Sequence, residues 1–184
     1  PANNITPSAA VGAVAGQASV TQSGAARYEV PIAVPPGIRG MEPQVALTYT
    51  HGAGNGVVGV GWRIATSSMI RRCPRKVGRD GYSAPVQFDD SDIVCLDDER
   101  LVLTDGSNLQ DGATYLKRRN DWTHVELIGV EQGSPWFRVT TDDHRILHYG
   151  EAFSSRRQYE GVPYEWMLSS VQDRFGNRIE HDYT

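Results

Sequence analysis

Residues 24–37 read GAARYEVPIAVPPG. Tyr28, Val30 and Ile32 fall on one side of an extended chain and Arg27, Glu29 and Pro31 on the other, which is the period-two alternation of a half-buried β-strand. Pro31 has no amide to donate to a ladder, so the strand is expected at a sheet edge or Pro31 near its end. Pro35-Pro36-Gly37 then forces a turn, two fixed φ angles followed by a residue free to take positive φ. Outward from this point the pattern repeats. Val45, Leu47 and Tyr49 alternate with Ala46, Thr48 and Thr50. Trp62 and Ile64, with residues 67–70, read as a further strand, and so do residues 86–88, 93–95, 101–104, 122–130, 136–141, 146–149, 164–171 and 179–183. Asp80-Gly81, Asp105-Gly106, Asp111-Gly112, Gly133-Ser134, Asp142-Asp143 and Phe175-Gly176-Asn177 punctuate them. Many short strands between turn signals predict an all-β fold of antiparallel sheets, sandwich-like or shell-like. No segment carries a capped helical stripe, although a turn of helix could form near residues 164–169.

The chain has 184 residues, room for one domain or two small ones, and 19 Gly with 10 Pro fit a chain that reverses direction often. Hydrophobic residues at 39% and charged residues at 22% describe a soluble globular composition. Residues 1–23 are Ala-, Ser-, Asn-, Gln- and Gly-rich and are expected to form a linker or arm, in which residues 11–15 could add a short edge strand. A β domain is expected over 24–160 and a second set of strands over 161–184, with a composition shift at 151–158 marking the boundary. Net charge is −4, and no block of Lys and Arg stands out, so no nucleic-acid partner is expected. Arg71, Arg72 and Arg75 read as a solvated strand end. No apolar run reaches the roughly 18 residues of a bilayer span. The start at Pro1, without a basic-then-apolar leader, reads as a mature or excised piece.

The motifs that could carry chemistry lose their context on inspection. Gly54-Asn55-Gly56-Val57-Val58-Gly59 matches the glycine pattern of a dinucleotide loop, but Val60-Gly61-Trp62-Arg63-Ile64 opens no helix behind it. A structural loop is expected instead, in which Asn55-Gly56 tolerates positive φ, Gly59 and Gly61 allow close packing, and Trp62 enters the core. Asp89, Asp90 and Asp92, and Asp97 with Asp98 and Glu99, lack the full spacing of a calcium loop. His144 and His148 would share a face of a strand but stand about 13 Å apart along it. No metal and no cofactor is expected. Cys73 and Cys95 are the only two cysteines; they could form one disulfide in an oxidising compartment or remain two buried thiols. Trp62, Trp122, Trp136 and Trp166 read as core or interface anchors, with a sugar-stacking platform as the rival reading.

The order of these motifs resembles a known family. Residues 24–37, then Gly40-Met41-x-Pro43, Leu47-x-Tyr49, residues 54–62, Ser67, Ile70-x-Arg72-Cys73-Pro74, Phe88-Asp89, Cys95-Leu96-Asp97, Arg100-Leu101-Val102-Leu103 and Tyr149-Gly150 resemble the SpvB-type N-terminal domain over roughly residues 16–150. Farther on, Trp166-x-Leu168-x-x-Val171-x-Asp173-Arg174-x-Gly176-Asn177-Arg178-Ile179-x-x-x-Tyr183 resembles the first strand pair of an RHS/YD repeat, where the Gly-Asn pair makes the hairpin turn and the tyrosine packs on the sheet.

This resemblance implies a non-catalytic module of a large secreted or extracellular bacterial toxin. Such domains occur in the B components of Tc toxin complexes and in polymorphic RHS toxins, leading into a hollow β shell that holds a toxic polypeptide. The implied partners are the shell and the C-terminal toxin of the same protein, and a translocation or toxin-complex subunit. Chemistry would belong to a separate C-terminal domain such as an ADP-ribosyltransferase, and this chain has no E-x-E dyad of that kind. The resemblance maps no catalytic residue here; the residues singled out are structural, namely Pro35, Pro36, Gly37, Gly54, Asn55, Gly56, Gly59, Gly61, Trp62, Cys73, Cys95, Gly176 and Asn177. A carbohydrate- or partner-binding β module is the alternative.

Overall fold

The computed structural model describes residues 15–21, 24–56, 58–65, 68–97, 99–118 and 122–183. Apart from Ala15, the edge strand expected over 11–15 lies outside the described residues, as do Val57 and Ser67. The chain divides into two compact units, residues 1–35 with 43–66, and residues 36–42 with 67–184.

The first unit is a four-stranded antiparallel sheet in the order β1 (Gln17–Val20), β2 (Ala26–Pro31), β3 (Ala46–Thr50) and β6 (Trp62–Ala65). The expected arm therefore contains a strand. β2 is an inner strand, and Pro31 is tolerated because it is the last residue, beyond the reach of β1, whose pairing stops at Gln17 opposite Glu29. Register places Ala18, Val20, Ala26, Tyr28, Val30, Leu47, Tyr49, Trp62 and Ile64 on one face. Asn55–Gly56 (β4) and Gly59–Val60 (β5) form a small hairpin between β3 and β6.

The second unit is a closed meander. β7 (Met69–Cys73), β8 (Ile93–Leu96), β9 (Glu99–Asp105), β10 (Thr114–Lys117), β11 (His124–Ile128), β12 (Trp136–Thr140) and β13 (Ile146–Tyr149) follow one another antiparallel. The eleven-residue β15 (Val162–Gln172) then pairs with β13 on one side and β7 on the other, which closes the sheet into a barrel. The long strand can serve both neighbours because its halves are used separately. Glu165–Met167 meet β7 and Leu168–Gln172 meet β13, while β14 (Arg156–Tyr159) and β16 (Arg178–Glu180) fill the remaining sides. Closure pairs the two ends of the meander, β7 and β13, through β15, while β8 and β9 are joined at Cys95–Arg100 and Leu96–Glu99 alone. Ile70, Val94, Leu96, Leu101, Tyr115, Val125, Leu127, Phe137, Val139, Tyr149, Trp166 and Leu168 fill the interior. At this strand number an interior is just wide enough for side chains.

Several local expectations change. Residues 86–88 form no strand; the carboxylate of Asp92 takes the amides of Gln87 and Phe88 at 2.7 and 2.8 Å, replacing ladder partners. Residues 164–169 lie within β15 and not in a helix, because pairing on both sides overrides a weak local preference. The helical turns are 3₁₀ at Ile38–Gly40 and Phe153–Ser155 and a single α turn, α1, at Val77–Asp80. The composition shift at 151–158 falls inside the second unit.

Candidate functional site

The glycine-rich segment is a hairpin with no helix behind it, so no helix N-terminus is offered to a pyrophosphate. Asn55 and Gly56 are extended in β4, and the positive φ values fall on Gly59 (+128°) and Gly61 (+76°). Gly54 has open space around it. At Gly56 a Cβ would sit 1.9 Å from the carbonyl oxygen of Trp62, so this glycine serves close approach. A Cβ added at Gly59 would lie no closer than 3.8 Å to the Trp62 ring, so the need for glycine there is conformational. Gly59→Val is expected to cost about 1–3 kcal/mol through backbone strain alone, seen as a lowered thermal midpoint; an unchanged midpoint would contradict the role given to this residue.

Trp62 is half-buried against Tyr49, ring centroids 5.5 Å apart, and does not join the main core; the tryptophan that does is Trp166, 1% exposed. Pro35 and Pro36 precede Gly37, whose φ of −86° is not left-handed. The turn takes its positive φ at Gly40, and Gly37 is needed because a Cβ would lie 1.6 Å from the Met41 carbonyl oxygen. Gly176 has φ +84° in the turn that joins β15 to β16. Asp173 organises that turn, its carboxylate accepting from the amides of Phe175 and Asn177 and from the Asn177 side chain at 2.7–2.9 Å. The Tyr183 hydroxyl donates to the Leu168 carbonyl at 2.9 Å, which ties the following residues back onto the sheet.

Cys73 and Cys95 form a disulfide between neighbouring strands, Cα atoms 6.1 Å apart. Their register is diagonal, Cys73 opposite Ile93 and Cys95 opposite Arg71. The bridge closes a loop of 22 residues in the unfolded chain, so reduction or a paired Cys→Ala change is expected to cost about 3 kcal/mol, read as a shift in denaturant midpoint.

Among the described residues the acidic runs do not converge. Asp92 is a buried structural clamp, Asp89 caps the amide of Ser91 at 2.8 Å, and Asp97 accepts from Ser68 Oγ at 2.6 Å and the Met69 amide at 3.0 Å. His144 lies in a turn with φ +62°, while His148 bonds Glu151 at 2.7 Å beside the Trp136 ring, so the two histidines serve different elements. Among the described residues no three His, Cys, Asp or Glu side chains are grouped as for a metal ion, and no helix is long and apolar enough to cross a membrane. In the barrel, burial pushes the Tyr149 phenol well above its usual range, and its hydroxyl donates to Ser68 Oγ at 2.7 Å.

The feature local patterns did not reveal is a cleft of about 470 Å³ in the barrel wall between β8 and β9, bordered by Arg75, Arg79, Arg100 and Arg118. Arg71, Arg72 and Arg75 were expected as a solvated strand end; Arg72 is buried with Asp92 at 3.0 Å, its side chain 7% exposed. Phe88, Tyr159 and Tyr164 cluster on one side of the β14–β15 hairpin, centroids 4.9 and 6.1 Å from Phe88.

Comparisons with known proteins agree on the fold. The chain superposes on part of the Tc holotoxin pore of Photorhabdus luminescens with a TM-score of 0.71 at 21% identity, covering 94% of this chain and 8% of that one. It superposes on the N-terminal domain of the effector protein SpvB of Salmonella typhimurium with a TM-score of 0.62 at 22% identity, covering 82% of this chain and 52% of that one. In sequence it is 39% identical over 66 residues, 36% of the chain, to the mono(ADP-ribosyl)transferase SpvB of Salmonella typhimurium, and that match spans 10% of the relative's length. A family model described as the Salmonella virulence plasmid 65kDa B protein matches residues 20–184, and the chain belongs to this SpvB family.

Proposed function

We propose that this chain is a non-catalytic structural module of a larger secreted bacterial toxin, built into the wall of a β shell that encloses a C-terminal toxic polypeptide. The observation that carries this reading is the filled barrel. Trp166, Phe137, Tyr115 and Tyr149 are each 1% exposed or less and occupy the interior, so the barrel serves as a rigid block and not as a container for substrate. Asp92, the buried acid of the first run, is spent on the amides of Gln87 and Phe88 and on Arg72. The apolar face of the four-stranded sheet adds support, with Val20 72% and Ile64 44% exposed, a surface that suits cover by further chain. In this reading the hairpin of β15 and β16 leads into RHS/YD-type strands, the partners are the shell, the enclosed polypeptide and a toxin-complex subunit, and any ADP-ribosyltransferase activity belongs to a separate domain.

Limited proteolysis of the parent protein tests this. The C-terminal polypeptide should be cut slowly in the native protein and rapidly when Gly176→Val breaks the connecting turn. Equal, fast cleavage in both would remove the enclosing role. The cluster of Phe88, Tyr159 and Tyr164 supports a second reading as a carbohydrate-binding module. A glycan array without hits would dispose of it.

A further inference from the structure

The four-stranded sheet ends on one side at β1, whose four residues are all exposed. Thr21, just beyond it, donates its amide to the Ala25 carbonyl at 2.9 Å. An antiparallel ladder alternates, so the amides and carbonyls of Gln17 and Ser19 also turn toward β2, and those of Ala18 and Val20 turn away from it. β2 has the matching phase. Ile32 donates to the Val45 carbonyl and His51 to the Ala26 carbonyl, both at 2.8 Å, which turns the even-numbered residues of β2 toward β3 and leaves the odd-numbered ones for β1. Among the described residues no strand stands on the outer side of β1.

The opposite edge of the sheet, β6, is covered at Trp62 by the β4–β5 hairpin, where Gly56 approaches the Trp62 carbonyl oxygen so closely that a Cβ would sit 1.9 Å from it. β1 has no such cover. Edge strands that stay in the open are commonly blunted by charge, proline or a bulge. No Lys, Arg, Asp or Glu precedes Arg27, β1 contains no proline, and its register with β2 runs without a shift. The nearest charges, Arg27 and Glu29 of β2, neutralise each other at 2.9 Å and lie opposite Ser19 and Gln17, away from the face of Ala18 and Val20. Val20, 72% exposed, carries the apolar face of the sheet out to this edge.

We propose that β1 is the strand at which this sheet is extended in the parent toxin, an uncharged extended segment of the downstream chain pairing with the outward amides and carbonyls of Ala18 and Val20 and packing apolar side chains beside Val20. This rests on the reading of the chain as part of an enclosing shell. A second copy of the chain would satisfy the same hydrogen bonds, but it would bring its own bare apolar face and enlarge the exposed surface. A segment of the same polypeptide arrives at an effective concentration on the order of millimolar and belongs to the layer that covers that face.

Hydrogen exchange at single-residue resolution, run on the 184-residue chain and on the whole parent protein, tests this. In the isolated chain Ala18 and Val20 should exchange freely while Ser19, bonded to β2, is protected; in the parent both outward amides should slow by at least about tenfold. Ala18→Pro removes an amide that β2 does not use, so it should leave the melting curve of the isolated chain unchanged and return Val20 in the parent to free exchange. If that variant disturbs the isolated chain, the comparison of the unaltered proteins still stands. Free exchange of Ala18 and Val20 in the parent would overturn the proposal. Protection of both already in the isolated chain would overturn it too, in favour of a second copy if it falls on dilution and of another part of the same 184 residues if it does not. Slow proteolysis of the C-terminal polypeptide together with free exchange at β1 would sink this inference and leave the enclosing role intact; fast proteolysis with both amides protected would do the reverse.

Discussion

Trp166→Ala is expected to remove a large share of the stability of the barrel. Trp166 is 1% exposed, stands edge-on to Phe137 with centroids 4.9 Å apart, and donates from Nε1 to the Pro135 carbonyl at 2.9 Å. Its backbone lies where the closing strand is paired on both sides, opposite Ile70 of β7 and Arg156 of β14. Gly150 is shaped around it, since a Cβ there would fall 2.3 Å from its ring. Alanine would leave a large cavity and take from the Pro135 carbonyl the shorter of its two hydrogen bonds, the other coming from Arg156 at 3.4 Å, at a cost of about 3–5 kcal/mol. That is a large share of the 5–15 kcal/mol by which domains of this size are stable. Chemical denaturation should show the midpoint falling sharply, with near-ultraviolet dichroism weakened even without denaturant.

Asp92→Ala is expected to be comparably severe for an electrostatic reason. The Asp92 and Arg72 side chains are 3% and 7% exposed and meet at 3.0 Å. Arg72 also donates to the carbonyls of Pro163 and Asp89 at 2.8 and 2.6 Å, so it cannot swing out to water without breaking the β7–β15 wall. Removing the carboxylate strands a buried cation and frees the amides of Gln87 and Phe88, at about 3–5 kcal/mol. The cost comes from the uncompensated charge, so Arg72→Met placed on top of Asp92→Ala should recover part of the loss. A double-mutant cycle measured by denaturant unfolding checks this; strictly additive losses would show that the pair does not act as a unit.

What was legible in the sequence follows from how far each signal reaches along the chain. Period-two alternation is local, and residues 146–149 and the alternation of Tyr28 and Val30 gave strands where expected. Strands lacking that signal were missed. β14 is Arg-Arg-Gln-Tyr, with no apolar face, and exists because Val162–Trp166 offers it a partner. β10 is Thr-Tyr-Leu-Lys, too short for a period to emerge, and Tyr115 becomes a core residue only through the strands on either side. The choice between Trp62 and Trp166 as core anchor was beyond reach for the same reason. Both sit in strands, and only the long-range pairing of β15 with β7 and β13 decides which one lies inside a closed sheet. The disulfide also depends on such pairing, since β7 and β8 become neighbours through their register and not through spacing. The arginine-lined cleft is a failure of pairing between β8 and β9, to which no local pattern corresponds.

The most direct measurement is the structure of this chain joined to its native downstream sequence. The account predicts that strands following β16 continue the sheet into a closed repeat shell, with the apolar face of Tyr28, Val30, Leu47 and Ile64 covered by that shell. A downstream sequence that instead folds as a separate compact domain, leaving β16 as a terminal edge and that face bare, would contradict it.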